Sequence, residues 1–76
     1  MTAKQRKCRR IACPQIETAD GQVLPLQAVE ILEGRVVSYY PLREEIPFTE
    51  WIGQRVVLRR DENETLCAYC EEKIIE

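Results

Sequence analysis

Residues 23–42 read VLPLQAVEILEGRVVSYYPL, two apolar runs joined at Glu33-Gly34. Val36, Val37, Tyr39 and Tyr40 are β-branched or aromatic, the side chains that suit a pleated, half-buried surface. A Gly between two such runs is a hairpin signal, because the turn needs a residue tolerant of positive φ. Pro25 and Pro41 cannot donate to a ladder and set the outer limits, so the regular hairpin is expected from Gln27 to Tyr40. Within it, Val29 and Ile31 share one face while Ala28 and Glu30 share the other.

Working outward, the preceding stretch CRRIACPQI predicts a first strand from near Lys7 to about Cys13, with Pro14 marking its end or an edge position. Asp20-Gly21 is a second turn signal, so another strand begins just after it. Beyond the hairpin, Arg43 to Pro47 is a polar, Pro-bounded connection. Phe48-Thr49-Glu50-Trp51-Ile52-Gly53 fits one helical turn closed by Gly53, with Phe48, Trp51 and Ile52 turned inward. Gln54 to Arg60 alternates as a strand, Asp61 to Glu64 turns, and Thr65 to Cys70 returns as the last strand. The expected fold is all-β: a small five-stranded antiparallel meander, the size of an SH3 barrel or a half-open sandwich, with one short helical turn near residues 48–52.

Seventy-six residues bound this to a single domain spanning 1–76. Residues 1–6 are expected to be a flexible basic arm, and residues 72–76 a solvated tail or an extension of the last strand. The composition, 45% apolar and 32% charged, is that of a globular chain. No apolar run approaches the ~20 residues a spanning helix needs, and no apolar h-region follows the charged N-terminus. The expected location is therefore cytoplasmic, with no membrane partner.

The net charge of -2 conceals an uneven distribution. Lys4, Arg6, Lys7, Arg9 and Arg10 give residues 1–10 five bases and no acid, a charge of +5, whereas residues 11–76 carry six bases and thirteen acids, a charge of -7. A basic arm with Arg59 and Arg60 is a candidate nucleic-acid site, and the same arm suits the acidic body of a second copy. Against nucleic acid stand the isoelectric point near 5.2 and the alternation of Tyr39 and Tyr40, which places them on opposite faces and not on one stacking platform.

Four cysteines, Cys8, Cys13, Cys67 and Cys70, raise the question of metal. Two pairs far apart in sequence are the layout of a zinc ribbon, but residues three or five apart on a strand point to opposite faces. Free thiols, a disulfide and a zinc-stabilised four-cysteine module stay open, the first being the ordinary state of cysteine in a reducing compartment. The chain contains no His, which removes Ser-His and Cys-His pairs and the side chain best matched to proton transfer near neutrality. Glu44-Glu45, Glu62/Glu64 and Glu71-Glu72 fall in turns or tails, where such pairs are solvated charge. No catalytic residue and no cofactor is expected.

Asp20-Gly21 and Glu33-Gly34-Arg35-Val36-Val37, within residues 11–42, resemble the small β segment that flanks the catalytic barrel in amidohydrolase-superfamily enzymes. The resemblance implies a β-sandwich-like piece without the enzyme, since the His-x-His metal pair of that family is missing here. Pro-Phe-Thr-Glu-Trp at 47–51 following Tyr-Tyr-Pro-Leu at 39–42 is similar to short bacterial proteins from which no function carries over. The function expected from the residues is a non-enzymatic interaction or assembly module. It would bind a protein partner or pair through an exposed strand edge as a homodimer. A nucleic-acid-binding module and the zinc-stabilised four-cysteine module are the alternatives.

Overall fold

In a computed structural model, which describes residues 8–76, the chain forms seven strands: β1 (Cys8–Glu17), β2 (Val23–Leu32), β3 (Arg35–Pro41), β4 (Glu50–Trp51), β5 (Val56–Arg60), β6 (Leu66–Cys70) and β7 (Lys73–Ile75). They belong to one sheet ordered β3-β2-β1-β5-β6-β7, with β4 also paired to β1. The all-β expectation is met. The five-stranded antiparallel meander is corrected to seven strands in a mixed sheet, because β4 and β5 both run parallel to β1. The sheet is open and not a closed barrel: β3 and β7 end the order and do not pair with each other. It curls nonetheless, bringing β3 close to β6 across the concave side.

The expected hairpin is β2-β3. Leu32 pairs with Arg35, leaving Glu33 and Gly34 as a two-residue loop with φ of 53° and 81°. Both values are positive, as a type I′ turn requires. The pairing shifts between Glu30↔Ser38 and Ile31↔Val36, so Val37 is an extra residue, bulged out and 49% exposed.

β1 runs through Pro14 to Glu17, longer than expected and in the middle of the sheet. Its neighbour on one side changes there, from β4 at Ile11 and Ala12 to β5 at Ile16 and Glu17. A missing N–H at the changeover leaves no partner wanting. On the other side the ladder passes from Cys13↔Gln27 to Gln15↔Pro25, skipping Pro14 and Leu26. Leu26 takes φ 34°. This paired irregularity shifts the alternation, so that Cys13 and Ile16, three apart, both lie in the core. Leu24 packs against the same core that Val29 and Ile31 enter.

The concave side holds Ile11, Cys13, Ile16, Val29, Ile31, Val56, Leu58, Ala68 and Ile75. Burying each large aliphatic side chain contributes roughly 1.5–3 kcal/mol. The tail joins this core: Glu71 and Glu72 make a two-residue turn, Cys70 pairs with Lys73, and Ile75 sits opposite Ala68, 8% exposed. The tail is therefore a paired strand that turns back on β6. It is not a continuation of β6, and although Lys73, Ile74 and Glu76 stay exposed, Ile75 is buried.

No helix occurs among the described residues. In place of the helical turn at 48–52, Glu50–Trp51 is a short strand alongside Ile11 and Ala12. Its partner lies far away in sequence, which is why local pattern alone favours a helical turn. Ile52 packs against the core as expected, but Phe48 is 96% and Trp51 60% exposed.

Candidate functional site

The convex face of β1-β2-β3 carries two adjacent rows of side chains. One is Arg10, Glu30 and Ser38; the other is Ala12, Ala28 and Tyr40. The Glu30 carboxylate gathers the first row. It accepts from Tyr40 Oη at 2.7 Å, Arg10 Nε at 3.1 Å and Ser38 Oγ at 3.2 Å. The Tyr40 hydroxyl, then Arg10, hold the Glu30 carboxyl below the usual range, and Glu30 in turn pushes Tyr40 and Arg10 up. With three donors on one carboxylate, Glu30 serves as an anchor and not as a base.

Arg10 extends the anchor to the segment between β3 and β4, its Nη1 donating to the Pro47 carbonyl at 3.0 Å. Residues 42–51 are fastened at both ends as well. Leu42 N–H donates to the Leu26 carbonyl at 3.1 Å, and Ile52 N–H to the Ala12 carbonyl at 2.7 Å. Arg9 grips Glu50 with both Nε and Nη2, at 2.8 and 2.9 Å, and reaches the Glu76 carbonyl at 3.2 Å. This bidentate pair lowers the Glu50 carboxyl and raises Arg9.

A cleft of about 500 Å³ lies between this loop and the sheet. Ala12 is its floor, Leu42, Ile46, Pro47 and Trp51 are its apolar walls, and Glu45 and Thr49 add polar groups. The methyl side chain of Ala12 on the convex face leaves the space in which the cleft exists. Phe48 does not line the cleft; it stands beside it, on backbone at φ 60°, a left-handed conformation that L-residues adopt at a cost.

Among the described residues, the basic side chains named from sequence do not converge. Lys4, Arg6 and Lys7 lie outside the described residues. Arg9 and Arg10 are each engaged by a glutamate. Arg59 stacks on the Tyr69 ring at 5.5 Å, and Arg60 donates to the Glu64 carbonyl. Glu17 is level with Val57, so Arg59 sits about nine residues along the sheet from Arg10, roughly 30 Å at the rise of a strand.

The cysteines are free thiols. Cys8 is exposed, Cys13 and Cys67 are buried, and Cys70 is half-buried with its Sγ 3.3 Å from Gln54 Oε1. Burial pushes the Cys13 thiol up to about 11 and raises Cys67 as well, with Asp61 adding to the latter. Among the described residues no three His, Cys, Asp or Glu side chains come together as a metal site, and no helix is long and apolar enough to cross a membrane.

No family model, no curated protein and no solved structure matches the chain. The features that mark this site escape sequence reading for one reason: the anchor and the cleft join residues from β1, β2, β3 and β4. The local hint is Pro47-Phe48, an aromatic directly after a Pro-bounded polar stretch.

Proposed function

We propose that this chain is a non-enzymatic protein interaction or assembly module, and that loop 42–51 is its contact surface. The observation that carries the reading is the exposure of Phe48 (96%) and Trp51 (60%) around an apolar cleft. Large aromatics are the side chains that dominate interface energetics, and grouped exposure of this kind marks contact surfaces. The anchors around it hold the loop in one shape, which lowers the entropy lost on docking. A reducing, cytoplasmic setting suits four free thiols, one of them on the surface.

Trp51 is the single tryptophan, so its emission reports on this surface directly. As protein concentration rises through the micromolar range, the reading expects a blue shift and reduced acrylamide quenching, accompanied by growth in light-scattering mass. An unshifted, fully quenched Trp51 together with monomeric mass at high micromolar concentration refutes self-assembly through the loop.

A further inference from the structure

Phe48 and the cleft are neighbours on one short loop, and each lacks what the other supplies. Pro47 and Thr49, on either side of Phe48, line the cleft. These two residues form part of its wall, and Arg10 holds that wall through the Pro47 carbonyl at 3.0 Å. The Phe48 ring is therefore held outside its own cleft, 96% exposed. A phenyl ring occupies an apolar cavity of about 150 Å³, so a cleft of about 500 Å³ has room for one.

We propose that two copies of this chain associate about a two-fold axis, each inserting its Phe48 ring into the cleft of the other. The inference rests on the reading of loop 42–51 as a contact surface and deepens it by naming the occupant. A patch that carries both a projection and a matching hollow is complementary to itself under two-fold rotation, and the contact closes without leaving a free patch. An aromatic side chain buries about 150–250 Å², so Phe48 and Trp51 at their exposures contribute roughly 350 Å² per copy. That is close to half of the ~800 Å² per partner of a standard interface, and the cleft walls supply further area. The charges fit as well. Glu50 is already neutralised by Arg9, and the carboxylate of Glu45 at the cleft meets the positive edge of an incoming ring. A contact of this size falls in the weak, transient class, so the dimer is concentration-dependent.

Sedimentation equilibrium on the full chain tests this with two variants. Phe48→Ala removes the inserted ring while leaving a Cβ on the same backbone. It is expected to raise the dimer dissociation constant by about a hundredfold or more, with an unchanged circular dichroism melt. Val37→Lys, on the bulge of the end strand β3, is expected to leave dimerisation as it is. Independently, benzoylphenylalanine at position 48, irradiated in a mixture of isotopically light and heavy protein, should cross-link to residues 42–51 of the other copy. Dimerisation unaffected by Phe48→Ala, or abolished by Val37→Lys, or cross-links elsewhere, overturns the reciprocal insertion and leaves an interaction module that uses another surface. A wild-type monomer at every concentration overturns both.

Discussion

Replacing Glu30 with Gln tests whether the Arg10–Glu30–Tyr40 anchor holds loop 42–51 to the sheet. The carboxylate accepts from Tyr40 at 2.7 Å, Arg10 at 3.1 Å and Ser38 at 3.2 Å. Tyr40 and Arg10 share Oε2, so a neutral amide that keeps its oxygen there still accepts from both, turns its NH₂ towards Ser38 Oγ, and loses the negative charge that strengthens these bonds. Hydrogen bonds to charged groups contribute about 1.5–3 kcal/mol. The Arg10 and Glu30 side chains are 31% and 24% exposed, and solvent screening discounts that figure. A net loss of about 1–2 kcal/mol follows, or a Tm lower by about 5–15 °C for a domain this small.

The pH dependence gives the sharper check. In the folded chain Glu30 titrates below the ordinary glutamate value of 4.5. Its contribution is thus complete above that value and disappears as pH falls through the depressed folded pKa. Thermal melts of wild type and Glu30→Gln should differ most near neutrality and converge in strong acid. Hydrogen exchange near Pro47 should quicken in the variant, since Arg10, which holds the Pro47 carbonyl, loses the charge of the partner that aims it. A stability difference under about 0.3 kcal/mol, or one of the same size at neutral and acid pH, would refute the reasoning.

Other outcomes follow from particular residues. Glu71 and Glu72 occupy a two-residue turn with φ of 52° and 66°, so Glu71→Asn with Glu72→Gly is expected to stabilise the chain by about 1 kcal/mol, read by chemical denaturation. With a thiol reagent near pH 8, Cys8 should react at once, whereas Cys13, fully buried and with its thiol pushed up to about 11, should react only after unfolding. Chelators are expected to leave the melt unchanged; a drop in Tm on chelation would favour the zinc-stabilised four-cysteine module. Because Arg9 and Arg10 are paired and lie far from Arg59 and Arg60, single-stranded oligonucleotide should bind weakly even at low salt, and tight, salt-sensitive binding would favour a nucleic-acid role.

The loop and its anchor also explain why an acidic chain keeps two arginines in its first strand. Arg9 and Arg10 point to opposite faces of β1, as neighbours on a strand must. One meets Glu50 on β4 and the other Glu30 on β2, so a single dipeptide fixes both the end and the middle of loop 42–51. Read as sequence, the same pair is part of a +5 arm suited to polyanions. Pairing with two glutamates neutralises two of those five charges.

The sequence by itself determined what depends on near neighbours. Glu33-Gly34 between β-branched runs specified the β2-β3 hairpin; Asp61 to Glu64 specified the β5-β6 turn; the lack of His ruled out imidazole chemistry. Each rests on local backbone preference or on composition. Only the tertiary structure decided the parallel pairing of β1 with β4 and β5, the passage of Pro14 through a central strand, the return of the tail as β7, and the outward placement of Phe48 and Trp51. The physical reason is common to all four. A strand satisfies its backbone through partners distant in the chain, and whether an apolar side chain faces core or solvent depends on which partner it finds. Phe48 and Trp51 are apolar by composition, but Trp51 lies in β4, which takes its partner from residues 11 and 12 and leaves it exposed, and Phe48 stands exposed on the loop before it.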